Sequence, residues 1–523
     1  MVISRSQGHG AAHARRIRDW LHTFLTTQQL PVHRIGQPNT SLLDDEDFAL
    51  AIKLHLQSLA GKQQHFRAQD VVDFVETDEM QEKMNKAGFP RRTISVRTAR
   101  RWLKQLDWRF GRRKNGMYID GHEREDVVEY RKAFVKRWME EYEPRMVTYD
   151  NDGNVVKTPE GFVLQGKYAG QRFRVLLVTH DESTFYANDR RQTAWLHTSL
   201  KATPQPKGEG ESMMVSDFLV PEWGRLRTED RSIHLFTLLL MLTGCTSDAR
   251  LFFWAGKNRD GYFTSFELLA QVDRAIDVFE EKTNGFATGL FMFDNAPSHQ
   301  KRAPDALSAR RMPKNPHPDW TSAPGAPQMR PGQLPDGSPQ QLYHPDDHPT
   351  MPGWFKGMEQ ILRERELWQD GLKAQCAGFK CEPSRTDCCC RRILFNQADF
   401  INQKSALQEL IESRGHICDF YPKYHCELNF IEMYWGAAKF QYRNTAKTCS
   451  SSAMEKNVKA CLDSIICLTF CIRRYANRAA RFISAYAGGL TGAELAWVNR
   501  KYSGHRILPQ FMINEVKASL GYI

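Results

Sequence analysis

Val175-Leu-Leu-Val-Thr-His-Asp181-Glu-Ser-Thr-Phe185 is an apolar run of strand length that leads into a carboxylate. Leu290-Phe-Met-Phe-Asp294-Asn-Ala-Pro-Ser-His299 repeats the arrangement far downstream. Strands buried on both faces read as near-continuous apolar runs. One that ends in Asp delivers a charge to the sheet's edge, where a divalent cation can neutralise it. A third stretch, Glu427-Leu-Asn-Phe-Ile-Glu432-Met-Tyr-Trp435, puts Glu432 at the start of a long helical pattern. A single strand-end Asp reads as a cap or turn residue. Three carboxylates in these contexts read together as a metal-dependent nuclease site.

Around these motifs the pattern is α/β. Strands are expected at Phe173–Thr179, at Glu211–Leu219, within 234–254 and at Gly289–Phe293, with an amphipathic helix over Thr264–Lys282. The run from Ser232 to Gly244 is unlike its neighbours and reads either as a buried strand or as an aberrant segment. After Glu432 the chain is helical to about Tyr486, with Arg473, Arg474, Arg478 and Arg481 on one long element that Gly488-Gly489 terminates.

The net charge of +11 is concentrated. Residues 91–114 hold ten Lys or Arg and one acid, Asp107, a density that points to a polyanion partner. Ser95 suits the N-cap of a helix reaching about Leu106, after earlier helices over Asp44–Leu59 and Ala68–Val75. Val96, Ala99, Leu103 and Leu106 form its inner stripe. Arg97, Arg100, Arg101 and Lys104 are left outside, the division a recognition helix needs. The loop Gly111-Arg112-Arg113-Lys114-Asn-Gly116 suits an arm that tracks phosphates or a groove. A charged helix over 122–143 follows, and Arg5–Arg18 reads as a disordered basic arm.

At 523 residues and 41% hydrophobic content the chain should hold two or three domains. No apolar run approaches membrane-span length, and the N-terminus lacks a signal-peptide pattern. The twelve cysteines include an adjacent trio, Cys388 to Cys390, which suits a reducing compartment. Cys376, Cys381 and that trio match no standard finger spacing and contain no Cys-x2-Cys pair. The reading favours reduced, partly buried thiols over structural Zn2+.

Asp181, Asp294 and Glu432 in these contexts resemble the DDE triad of Tc1/mariner-like transposases, and more closely the long DDE endonuclease type of fungal genomes. Tyr421-Pro-Lys-Tyr-His-Cys-Glu-Leu-Asn-Phe-Ile-Glu432-Met-Tyr-Trp435 carries most of the resemblance. It departs at Phe430, where the family often has Pro. It departs also in the interval of 138 residues from Asp294 to Glu432, which implies an insertion.

The resemblance implies an α/β ribonuclease H-like catalytic domain, a mixed sheet with flanking helices, preceded by an all-α helix-turn-helix DNA-binding region. Expected boundaries are 1–145 for the DNA-binding region and 146–170 for a linker. Residues 171–300 plus 416–487 would form the catalytic domain. Residues 301–415 would be an insertion, a mobile Pro-rich linker and then a small Cys-containing cap that offers Lys356, Lys373, Lys380, Arg391 and Arg392 to DNA. Residues 488–523 would be a tail.

The function implied is cut-and-paste transposition. Double-stranded DNA, as terminal inverted repeats and as target, is the partner of a homodimer acting in the nucleus. Asp181, Asp294 and Glu432 would ligate two Mg2+ or Mn2+ ions about 4 Å apart. Around them Glu182 points to the opposite strand face. Asn295 braces the turn after Asp294, and His299 reaches a phosphate or a metal-bound water. Trp435 packs to fix Glu432, and Lys439 shares the face of Glu432 toward phosphate. Competing readings are a catalytically decayed or host-recruited DNA-binding derivative and an RNA/DNA-hybrid nuclease on the same fold.

Overall fold

The computed structural model describes residues 10–29, 42–61, 67–86, 93–106, 108, 121–150, 152–159, 172–190, 207–228, 248–382, 385–445, 450–466, 469–492, 494–495 and 511–514. Arg112, Arg113 and Lys114, and most of the unusual 225–248 stretch, lie outside them. The chain divides into two compact units between Lys114 and Asn115.

The first unit is helical: α1 (Ala11–Thr27), α2 (Glu46–Gly61), α3 (Ala68–Val75), α4 (Asp78–Lys86) and α5 (Val96–Gln105). The N-terminal segment expected to be disordered thus includes a helix. α2 to α5 close on one apolar cluster that includes Phe48, Ile52, Leu56, Val75, Met80, Ala99 and Trp102. Ser95 caps α5 by accepting from the Thr98 N–H. Trp102 anchors that helix, its ring edge-on to Phe48 at 5.8 Å. The expected stripe omitted Trp102; its large ring takes the buried position while Leu103 and Leu106 are only partly covered.

The second unit begins with α6 (Glu125–Arg137), which continues as a π-helical turn through Tyr142. The expectation of a DNA-binding region reaching 145 is corrected here, because α6 packs with the second unit. Arg137 donates two hydrogen bonds of 3.0 Å to Asp419, and Tyr142 donates one of 2.9 Å to the same carboxylate. The expected linker is corrected as well. Its first part pairs as the hairpin β1 (Thr148–Tyr149) and β2 (Val155–Lys157), whose Tyr149 and Asp150 carbonyls accept from Asn477.

The main sheet contains β3 (Val175–Tyr186), β4 (Ser212–Val220), β5 (Gly224–Arg225), β6 (Leu251–Phe253), β7 (Thr288–Phe293) and β10 (Ile417–Phe420). β3 pairs antiparallel with β4, and β4 with β6. β7 pairs parallel with β3, and β10 with β7. Helix α7 (Ser265–Thr283), capped by Thr264 and Glu267, precedes β7. This mixed sheet with flanking helices is the ribonuclease H-like arrangement expected.

Alternation explains the two apolar faces. Val175, Leu177, Leu290 and Met292 enter one core, and Leu176, Val178, Phe291 and Phe293 the other. The first core is covered by α6 together with α12 (Ile431–Arg443), α13 (Ser451–Ile466) and α14 (Thr469–Ala487). The second is covered by α7 and α11 (Ala406–Ser413). The helical stretch expected after Glu432 is three helices, and α14 is the long element that carries Arg473, Arg474, Arg478 and Arg481 as expected; Arg474 and Arg478 are exposed, while Arg473 and Arg481 serve structure. Arg473 donates to the carbonyls of Gly153 and Pro221, and Arg481 is buried. Gly489, at φ +75°, ends α14 and lets the Leu490 N–H reach the Ala485 carbonyl. Part of the expected tail is core, since Met512 and Ile513 are buried in the first cluster.

The insertion between β7 and α11 is a small packed subdomain. It contains the short pair β8 (Gly332–Gln333) and β9 (Pro339–Gln340), with α8 (Gly357–Glu364), α9 (Cys390–Phe395) and α10 (Ala398–Ile401). The Ala406 N–H donates to the Lys301 carbonyl at 2.9 Å, so the chain leaves and returns at one point. That places the return near 405, not 415, because Leu407 and Ile411 belong to the second sheet core. The Pro-rich half is not a mobile linker. Leu307, Met312, Met329, Leu342 and Tyr343 build one core with Phe355, Ile361, Leu362 and Leu394. Lys356 is tied to Glu364 at 2.9 Å rather than offered outward.

Candidate active site

β3 runs five residues past Asp181, so this Asp is not at a strand end as expected. Its parallel pairing with β7 stops at Thr179↔Met292, two residues before Asp181 on one strand and before Asp294 on the other. The two carboxylates therefore flank the point where the parallel ladder opens. Both have the parity of the first core, the face on which α12 lies.

Helix α12 is locked there by its own motif. The Thr179 hydroxyl donates to Asn429 Oδ1 at 2.5 Å, and Asn429 Nδ2 donates to the His180 carbonyl at 3.2 Å. Tyr421 Oη lies 3.2 Å from Thr179 Oγ1. Phe430, fully buried, takes φ −68°, the value a proline would impose, so the departure from the family motif leaves the helix start unchanged. One turn on, Trp435 Nε1 donates to Asp181 Oδ2 at 3.1 Å. Trp435 thus fixes Asp181 and not Glu432 as expected, because its ring points from the helix onto β3.

Asp181, Asp294 and Glu432 form one electrostatic group. Burial raises the Asp181 carboxyl well above the usual range, and Glu432, Glu182 and Asp294 add to the rise. Partial enclosure raises Glu432; Lys439 opposes this and Asp294 adds to it. Burial lowers Lys439, Arg443 lowers it further, and Glu432 pulls the other way. Lys439 also lies over the Phe185 ring at 5.7 Å, on the same side of α12 as Glu432.

His299 is the hub of the opposite edge. Its Nδ1 is ion-paired with the Asp294 carboxylate, and its Nε2 lies 3.5 Å from Glu182 Oε1. Burial works against its charged form, but Asp294 and Glu182 outweigh it and raise His299 to about 10. Burial would raise Asp294 and Glu182 too. His299 lowers Asp294, and His180 with His299 lowers Glu182. Asn295 Oδ1 accepts from Gln300 at 3.2 Å and braces the turn.

The sequence reading missed His180. It is fully buried in the apolar run, with Nε2 2.7 Å from Ser216 Oγ, and burial lowers it to about 4. Its ring, Glu182 and His299 bring ligand atoms within 4.8 Å of one another. These groups are already engaged by Ser216 and Asp294, so we read them as a brace behind Asp294. Also missed was Arg250, buried against Asp217 at 2.6 Å and donating to Tyr434 Oη at 2.8 Å, which ties β4 to α12. Arg97, Arg100, Arg101 and Lys104 lie exposed along α5 in the first unit, on the side away from Ala99 and Trp102.

The oxygen-only donor set Asp181, Asp294 and Glu432 fits a hard divalent cation. Burial, and after it the neighbouring carboxylates, raise the Asp181 carboxyl, and such a cation would offset both.

No family model matches the chain, and no curated protein does. Among solved structures it is similar to Mos1 transposase assemblies. A pre-cleavage Mos1 transpososome aligns at TM-score 0.40 and 10% identity over 90% of this chain and 86% of that one. A paired-end complex with the left transposon end aligns at TM-score 0.40 and 10% identity, over 90% and 87%. A Mos1 mariner paired-end complex with Mn aligns at TM-score 0.40 and 11% identity, over 90% and 87%. These likenesses are low, and the sheet topology itself carries the fold.

Proposed function

We propose that this chain is a DNA transposase of the Tc1/mariner-like DDE type, which cuts and rejoins duplex DNA with Mg2+ or Mn2+. The observation that carries the reading is the convergence of Asp181, Asp294 and Glu432, from two adjacent parallel strands and the helix locked across them. Two bound ions would supply activation of the attacking oxygen and stabilisation of the leaving one. The chain's residues do the rest. Asp181, Asp294 and Glu432 would hold the ions. Trp435 and Asn429 orient Asp181 and the start of α12. His299 aims Asp294. Lys439, beside Glu432, is placed to meet a phosphate. In the first unit, Arg97, Arg100, Arg101 and Lys104 of α5 present the basic face for the duplex, and Arg112, Arg113 and Lys114, which follow in sequence, would add to its charge. The same reading has two copies acting on paired terminal repeats in the nucleus.

The intact triad and its brace favour an active enzyme over a decayed derivative. The test is cleavage of a plasmid carrying the DNA that flanks the coding sequence. Wild-type protein should cut at the repeat ends with Mg2+ or Mn2+, and not in chelator. Asp294→Asn should bind the same DNA and leave it whole. DNA binding without cleavage by the wild type would favour the derivative that only binds. Equal cutting by both proteins would remove the triad from the mechanism.

A further inference from the structure

The insertion holds a second cluster that the proposed chemistry does not use. Cys376, Cys381, Cys388 and Cys389 bring their sulfurs within 4.8 Å of one another. Two main-chain bonds cause this: Cys390 N–H to Lys373 O at 3.0 Å and Arg391 N–H to Ala374 O at 3.2 Å lay the two cysteine segments side by side. A tight turn, with Gly378 in the left-handed region at φ +60°, folds Cys381 back beside Cys376. The fifth thiol, Cys390, is fully buried in the apolar core of the insertion and stands apart.

We infer that these four cysteines form a zinc site, which pins the cysteine loop to the insertion. Zinc–sulfur bonds of about 2.3 Å put four thiolates about 3.8 Å apart at the corners of a tetrahedron, a spacing this cluster can reach with small adjustments. The loop also needs a staple. Among the described side chains from Ala377 to Asp387 none is buried, so none of these pins the loop to an apolar core. Zinc binding would displace the thiol protons and supply that missing stabilisation.

The staple has a consequence for the surface. Cys376, Cys381 and Cys389 line a cavity of about 760 Å³ whose wall also carries Arg302, Arg310, Arg391 and Arg392. Zinc would hold the cysteine side of that basic cavity in place. The site stands independently of the proposed DNA chemistry, since its residues lie outside the carboxylate cluster.

The full chain, purified under reducing conditions without chelator, should retain about one equivalent of zinc by elemental analysis. Replacement by Co2+ should give intense sulfur-to-cobalt charge-transfer bands together with tetrahedral d–d bands. The native protein's cluster thiols should react with a thiol reagent only after a chelator is added. Cys376→Ser combined with Cys381→Ser should lose the zinc, whereas Cys390→Ala and Asp181→Asn should keep it. Zinc-free protein whose four thiols react freely would overturn the site, and so would two disulfides among them. Both are read on the wild-type chain, so the test stands even if the double variant fails to fold.

Discussion

Asp181 is held by a directed contact from the helix across it, the indole of Trp435 at 3.1 Å. Trp435→Phe keeps the ring and removes the donor. We expect Mn2+ affinity to drop about tenfold to a hundredfold, as loss of an outer partner of a ligand does. Cleavage at saturating metal should recover much of the loss, and a variant whose metal requirement is unchanged would make Trp435 a packing residue only. Asp181→Asn, Asp294→Asn and Glu432→Gln should each reduce cleavage by more than about a hundredfold in folded protein, because each removes charge at the reacting phosphate. Near wild-type cleavage by any of them would exclude that residue.

His299 makes a prediction in pH. Its folded value of about 10 lies above the ordinary 6.5, so its contribution to stability is complete below 6.5 and is lost as pH rises through about 10. The melting-temperature gap between metal-free wild type and His299→Gln should therefore be widest near pH 6 and close toward pH 10. A gap that is flat or widens over that range would mean that the Asp294 and Glu182 contacts do not hold a charged imidazolium. The raised Asp181 carboxyl gives the complementary sign. A divalent ion competes with its proton, so Mn2+ affinity should fall as the pH is lowered.

Among the elements, α5 carries the sharpest separable claim. Arg97, Arg100 and Arg101 are exposed while Ala99 and Trp102 are buried, so changing the arginines leaves the helix's packing in place. Replacing all three by Ala in the full chain should weaken duplex binding. If each meets a phosphate, the slope of log affinity against log salt should fall by up to about 2.7. Weaker discrimination with an unchanged slope would assign them to base edges, and no change in either would leave the face merely solvated.

The same helix shows what was legible in advance. Its cap, its extent and its outer cations were readable, because Ser95 and a 3.6-residue period state them directly. β7 and the first half of β3 were readable for a similar reason, since both faces are buried there and the runs are uninterrupted; the polar continuation of β3 to Tyr186 was not foreseen. β10 was not foreseen. It has four residues and includes Cys418 and Asp419, and Asp419 is buried only because Arg137 and Tyr142 reach it from far away in sequence. His180 was hidden for a related reason, as one polar ring in an apolar run whose partner, Ser216, lies on the next strand. The carboxylates were identified by context, while the direction of Trp435 depended on how α12 lies on β3, which no local pattern contains.

At the scale of the molecule, the insertion is the main revision. Proline and glycine content says that residues 301–350 avoid regular helices and strands. It does not say that they avoid packing. Leu307, Met312, Met329, Leu342 and Tyr343 are spaced without period, yet they meet in one core. Limited proteolysis of the native chain should therefore spare 305–350, and early cleavage there would contradict this packing. Because Lys301 and Ala406 are hydrogen-bonded neighbours, replacing 303–404 by a short Gly/Ser bridge should leave the sheet domain folded. A collapsed sheet domain would show that the insertion is part of its core.

The central claim is that a folded chain gathers Asp181, Asp294 and Glu432 around divalent metal. The most direct measurement is anomalous diffraction from crystals of the protein soaked in Mn2+. The account predicts anomalous density within about 2.0–2.6 Å of carboxylate oxygens of all three residues, lost in Asp181→Asn crystals. Manganese bound instead at His180, Glu182 and His299, or no manganese between the two aspartates and Glu432, would contradict it.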